Sequence, residues 1–438
     1  MQITAGQDSS IRRAGNIQGW LLVATMWLAS AGAVLIAPVL PFMEKSFSDI
    51  PNAKLLLLIA LVVPGLMIAL LSPFIGMVVD YFGRKRFFMF AVVLYAICGA
   101  LPFWLTDIHH ILASRVFVGI AEAGINTIAG ALIADYFSGL ERQKWMTLVH
   151  GSASLFSVTM FALGGFLGGS AAGWHAPFLV YGLALVFFPL IGLFIWEPTH
   201  VASTTASAAP ASDTPFRWSR IADLCALTLV SAIMFFVVPV QISFLLNARG
   251  VATPETIGLC SAIANMGIPA GAFVFHRLAS RPIHQLLAIS FGLFATGFAS
   301  IFHFRSVEAT VIGAFIACAA GGMAMPLIQT WIMARLPVSQ SGRGSGGFMG
   351  SFFMGNFISP ILIAMLGGAL GGLVPVVGAF ALFCAVVTVI ALLAPIVART
   401  GHPSVQDVRT HTDPATQLDA NRLGLSTITT QATPGDFT

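Results

Sequence analysis

An arginine and a glutamate stand seven positions apart inside one apolar stretch, Arg115-Val-Phe-Val-Gly119-Ile-Ala-Glu122-Ala-Gly124. Read as a helix, the spacing puts both within about 20° of the same face and roughly 10 Å apart along the axis. They can face one cavity, but a tight pair needs long side-chain reach. No other acidic residue falls deep inside an apolar stretch of this chain. Charge in hydrocarbon is costly and usually functional. A carboxyl held there can also exist neutral, so it can bind a proton and release it, which is the chemistry of proton coupling. The competing reading makes Glu122 a structural partner for a polar group on another helix. For Arg115, a structural or gating role competes with a direct role in coupling. Asp135 and His150 are the next candidates, although His150 reads better as interfacial.

The elements that hold these residues follow from composition. The chain has 438 residues, of which 57% are hydrophobic and 9% charged, with a mean hydropathy of +0.90. An ordinary soluble domain carries about 25% charged residues, so a water-soluble globule is excluded. The long unbroken apolar runs also exclude a membrane β-barrel, whose strands alternate. The net charge of +4 is no sign of a nucleic-acid partner, because the basic residues cluster between the apolar runs. The five cysteines, Cys98, Cys225, Cys260, Cys318 and Cys384, are scattered through apolar stretches with neither disulfide nor metal spacing. No metal or cofactor is expected. The run from Trp20 to Pro41 imitates a signal peptide, but its length and the runs after it make it the first membrane helix.

The runs predict helices over 18–41, 55–79, 87–105, 110–134, 146–170 and 176–196, then 221–247, 255–277, 284–303, 308–335, 346–369 and 373–396. The expected organisation is an N-terminal segment 1–17, a six-helix bundle 18–196, a linker 197–220, a second six-helix bundle 221–397 and a disordered tail 398–438. The linker contains ASTTASAAPASDTP, which cannot bury enough surface to fold. Placed on alternate sides of a membrane, the 21 basic residues separate: all but Lys45, Lys54, Arg249, Arg305 and the buried Arg115 share one side. That side is expected to be cytoplasmic, together with both termini, the linker and the tail, in an inner or plasma membrane. The halves resemble one another: ALIADYFSGLERQKWMTLVHG and TWIMARLPVSQSGRGSGGFMG each lead into a Gly-rich helix.

The loop after the second helix reads Gly76-Met-Val-Val-Asp80-Tyr-Phe-Gly83-Arg84-Lys85-Arg86. It resembles the G-x-x-x-D-R-x-G-R-R/K signature of the major facilitator superfamily of secondary transporters. A tight turn and a basic anchor alone explain Gly83 and Arg84 to Arg86. The resemblance implies more for Asp80: a contact with the start of the eleventh helix, near Gly344 to Gly347, that biases inward-open against outward-open states. Tyr81 stands where the family usually has Arg, and the matching loop of the second half has Phe275 in place of the acid. Arg115-x-x-x-Gly119 is similar to the family's fourth-helix motif. Gly32-Ala-Val-Leu-Ile-Ala-Pro38-Val39-Leu-Pro41 is similar to the first-helix pattern of the 12-helix drug:proton antiporter group, although two prolines also simply bend and end a membrane helix. Gly164-Gly165-Phe-Leu-Gly168-Gly169 is similar to the antiporters' G-P-x-x-G-G with Gly165 in place of proline; its bland reading is close helix packing.

The resemblance implies an all-α membrane fold of twelve transmembrane helices in two pseudo-symmetric bundles, working by alternating access. It further implies a central cavity lined by the first, fourth, seventh and tenth helices, which nominates Trp27, Asn126, Gln241, Gln329 and Trp331, with Asn265 and Asn356 behind them. This aromatic, amide-rich set suits an amphipathic solute and suits a sugar phosphate poorly. The expected function is proton-coupled export of a small hydrophobic or amphipathic molecule such as a drug, a siderophore or a metabolite, by a protein that works as a monomer. The partners are the small-molecule substrate, protons and the lipid bilayer. The alternative is uptake of an organic acid or similar nutrient by symport, favoured only by Gly165. A membrane-embedded enzyme is the distant alternative, and no Ser/His/Asp, metal or phosphate-loop constellation supports it.

Overall fold

The computed structural model describes residues 14–197, 216–337 and 340–397. Most of the N-terminal segment, the linker and the tail therefore lie outside the described residues, as do the side chains of Gly76, Asp80, Tyr81 and His150. The described chain is helical and has no strand. Eleven helices are long and apolar enough to cross a membrane, and one bent pair makes a twelfth crossing. These are α1 (Asn16–Ala29 and Gly32–Ser46, bent by 45°), α2 (Ala53–Phe82), α3 (Arg84–Ala100), α4 (Ile108–Tyr136), α5 (Gly139–Gly168) and α6 (Gly173–Phe194). The second set is α7 (Ala222–Ala248), α8 (Pro254–Leu278), α9 (Ile283–His303), α10 (Val307–Ala334), α11 (Ser341–Leu370) and α12 (Leu373–Val397).

Three departures from the apolar runs have a clear physical reason. The first crossing does not stop at Pro41. Pro38 lies in a 3-10 turn and Pro41 in the first turn of the next helical piece, where a missing N–H costs nothing, and the chain continues to Ser46. α5 begins at Gly139 rather than 146, because Leu140 to Lys144 form an exposed polar turn that hydropathy does not detect. The sixth crossing is wound as a 3-10 helix over Gly173–Val186, with Pro177 inside it, before becoming α-helical at Phe187–Phe194.

Lipid supplies no hydrophobic drive for helices to meet, so close packing on small residues has to do it. Accordingly α8 and α10 cross with Gly267 and Gly271 against the α10 backbone and Gly322 against the α8 backbone. One buried core gathers α1 to α6 and takes in Val240 and Phe244 of α7. A second gathers α7 to α12, with Phe42 of α1 packed against it. α4, α7 and α10 are each more than half buried, and α4 carries both charges of the opening motif into the first core.

Candidate functional site

Arg115 and Glu122 are 2% and 6% exposed. Arg115 Nη1 donates to the Tyr181 hydroxyl oxygen at 2.7 Å, while Nη2 donates to the carbonyls of Gly99 at 3.0 Å and Cys98 at 3.4 Å. Those carbonyls belong to the last turn of α3, where a helix has no internal partner for its C=O groups and presents the negative end of its dipole. The guanidinium also lies over the rings of Tyr181 at 4.7 Å and Phe178 at 5.3 Å. A helix end and two α6 aromatics thus accommodate the buried cation.

Glu122 receives no hydrogen bond or ion pair from Arg115, in keeping with their separation along α4. Its neighbours are instead Tyr181 and Gly32. A Cβ on Gly32 would lie 2.6 Å from the Tyr181 hydroxyl and 3.0 Å from a Glu122 carboxylate oxygen. The two oxygens therefore crowd one glycine, just past the bend of α1. Tyr95 of α3 closes the cluster: its hydroxyl donates to the Leu28 carbonyl at 2.7 Å, and its ring lies 5.0 Å from that of Tyr181. The cluster holds α1, α3, α4 and α6 together around one carboxyl. The tyrosines were not singled out in the sequence. A tyrosine in an apolar run carries no spacing signal, and this one meets Arg115 only through the packing of α6 on α4.

The signature loop forms a clamp at the basic end. Gly83 has φ +86°, a left-handed conformation that favours glycine, and it turns the chain from α2 directly into α3. The first two N–H groups of α3 then donate to the Glu197 carboxylate, from Arg84 at 2.6 Å and from Lys85 at 2.9 Å. Lys85 Nζ donates to the Gly192 carbonyl at 2.7 Å, and Arg84 forms an ion pair with Asp135 at the end of α4. Arg86 is exposed. The second half is clamped by Arg335, which pairs with Asp223 at 2.6 Å and lies over Trp331 at 5.0 Å. Glu197, read in the sequence as the first residue of a linker, is a helix cap. Glu197→Ala is expected to lower stability by about 1 kcal/mol, the usual cost of a lost cap, read as a lower melting temperature in detergent. An unchanged melting temperature would show that the cap contributes nothing.

Contacts joining the halves gather at the opposite, far end. On α5, Gly164 backs onto the Leu35 carbonyl and Gly168 onto Val39, both of α1, whereas Gly165 faces Pro254 and Gly258, and Gly169 faces Glu255, all of α8. The residue that replaces the antiporter proline thus lets two backbones from opposite halves touch. Lys54 of α2 lies 4.7 Å over the Phe244 ring of α7. Near the basic end, Gly344 and Gly347 pack on α10, α7 and neighbouring residues of their own half. Among the described residues, these contacts bring the two halves together at the far end.

The cavity residues expected from helix position have different immediate surroundings. Trp27 stacks on Phe156 at 5.6 Å in the seam of α1 and α5, and its buried indole N–H has no partner among the described residues. Asn126 is half-buried one turn beyond Glu122. Gln241 is buried and lines a cavity of about 270 Å³ at the far end with Asn52, Lys54 and Leu373. Asn356 packs against Gly65 of α2. Gln329 and Trp331 are half-buried on α10. Asn265 donates to the Ser261 carbonyl at 2.8 Å and accepts from Cys318 at 3.9 Å, so it is committed to packing inside the second half.

A sequence model of the Major Facilitator Superfamily matches residues 22–283 and 224–429. The class C tetracycline resistance protein of Escherichia coli is 27% identical over 368 residues, covering 79% of this chain and 88% of that protein. The class G tetracycline resistance protein of Vibrio anguillarum is 26% identical over 373 residues, covering 80% and 92%. Among solved structures, a bacterial homolog of the human lysosomal transporter spinster, in an inward-facing and occupied conformation, superposes with a TM-score of 0.69 at 16% identity, covering 88% of this chain and 98% of that one.

Proposed function

The chain belongs to the Major Facilitator Superfamily, and on that premise we propose that this membrane transporter exports a small hydrophobic or amphipathic molecule in exchange for protons. The observation that carries the reading is Glu122, a carboxyl enclosed in the first-half core with no ion pair among the described residues. The similarity to two tetracycline resistance proteins over about four-fifths of the chain supports export of a drug-like amphiphile. The basic end faces the cytoplasm, so the far end, where α5 meets α8, is the outer one. Arg115, Glu122 and Asn126 stand within three turns of α4, so a proton taken up at Glu122 alters the helix that borders the substrate path. Asp80 with the start of α11 forms the gate when the inner side closes. The functional unit is a monomer in the inner membrane.

The test uses inverted membrane vesicles with tetracycline and a panel of amphipathic dyes as probes. Accumulation that requires an imposed proton gradient and collapses with a protonophore is expected. Accumulation only in right-side-out vesicles would reverse the direction. The orientation has its own check: a reporter fused after Thr438 that requires the cytoplasm should be active, and activity of a periplasm-dependent reporter there overturns the assignment.

A further inference from the structure

We propose that Tyr181 is the positioning residue that links Arg115 to Glu122, with Gly32 as the gap that lets it do so. This rests on Glu122 being the proton-coupling residue. A tyrosine hydroxyl has one proton to donate and lone pairs to accept with. Arg115 Nη1 occupies an acceptor position at 2.7 Å, and no other hydrogen bond of Tyr181 occurs among the described residues. Its own proton is unspent, and the acceptor that crowds the same glycine is the Glu122 carboxylate. The other titratable groups near this pair are Arg115 on α4 and Tyr95 and Cys98 on α3. Tyr95 is committed to the Leu28 carbonyl, and among the described residues α1 brings Leu28, Gly32 and Leu35, none of them titratable.

The link distinguishes the two states of the carboxyl. Facing an ionised Glu122, the Tyr181 hydroxyl makes a charge-assisted bond, and Arg115, Tyr181 and Glu122 form one chain from α3 and α4 through α6. Facing a neutral Glu122 it makes an ordinary bond, roughly half as strong. Protonation thereby loosens α6 from α4, while Tyr181 keeps its own proton throughout. The void beside Gly32, Tyr95 and Tyr181 is about 10 Å³, at most water-sized, so substrate does not enter the cluster and acts on it through helix movement.

The test is the infrared carboxyl C=O band of the full-length protein in detergent, followed through an acid titration and identified by its shift in heavy water. The parent should show a protonated-carboxyl band that Glu122→Gln removes. Tyr181→Phe should move that band to higher wavenumber, as for a carboxyl that has lost its donor. Gly32→Ala, whose methyl group forces the two oxygens apart, should do the same, and Tyr95→Phe should leave it in place. If Gly32→Ala does not fold, Tyr181→Phe decides alone. A band unmoved by Tyr181→Phe overturns the link and leaves the role of Glu122 standing. A band that survives Glu122→Gln overturns that role and the link with it.

Discussion

Glu122→Gln is expected to abolish accumulation of substrate against a gradient, to the level of vesicles lacking the protein, while substrate binding and downhill exchange persist. The amide has nearly the volume of the carboxyl and keeps a hydrogen-bonding oxygen beside Gly32 and Tyr181, so the packing of α1, α4 and α6 has no reason to fail. What is lost is the ability to gain and release a proton, which an exchanger must do once per cycle. The same substitution strategy is uninformative at Arg115. Its guanidinium ties the end of α3 to α6 through three hydrogen bonds and two ring contacts, so removing it disturbs folding and coupling together. The measurement is substrate-induced proton release from purified protein, parent against variant at one pH, beside uphill and exchange transport in vesicles. Equal proton release from both would place the coupled site elsewhere, at Asp135 or His150, of which Asp135 is already engaged by Arg84.

The twelve crossings were legible because a bilayer demands long apolar helices, and twelve such runs with basic loops on one side leave little freedom. Glu122 and Arg115 were legible for the same reason: against so apolar a background a buried charge stands out. Tyr181 was not, since its role comes from contact between helices 66 residues apart in sequence. Glu197 was hidden by its neighbours, because a polar Ala/Ser/Thr stretch follows it and nothing local marks a cap for a helix 112 or 113 residues earlier. The surroundings of the nominated cavity set were not legible for a related reason. Helix number tells which crossing is central, whereas the direction in which Asn265 or Gln241 points depends on rotation and on the break between the two pieces of α8 at Met266.

The glycines of α5 lead to the second large effect: Gly165→Leu should shift the protein from the state in which α5 and α8 touch at the far end toward one open there. A Cβ at this position would lie 2.5 Å from the Pro254 carbonyl oxygen and 2.7 Å from the Gly258 Cα. Both obstacles are backbone and cannot rotate away, so α5 and α8 must part. Overpacking of this kind costs roughly 1–3 kcal/mol, which corresponds to about a 5- to 150-fold change in a two-state equilibrium. The neighbouring glycine provides the contrast. Gly164 meets the Leu35 carbonyl of its own half, so Gly164→Leu strains the first bundle and should reduce folded protein rather than redistribute states. The readout is labelling of a cysteine introduced at Phe42, which packs against the second core from α1, by a membrane-impermeant maleimide, with the protein lacking that cysteine as background. Labelling should rise about tenfold or more in Gly165→Leu, for a shift near 1.4 kcal/mol, and transport should fall while the amount of folded protein persists. Parental labelling with parental transport would mean that the α5–α8 contact is packing alone.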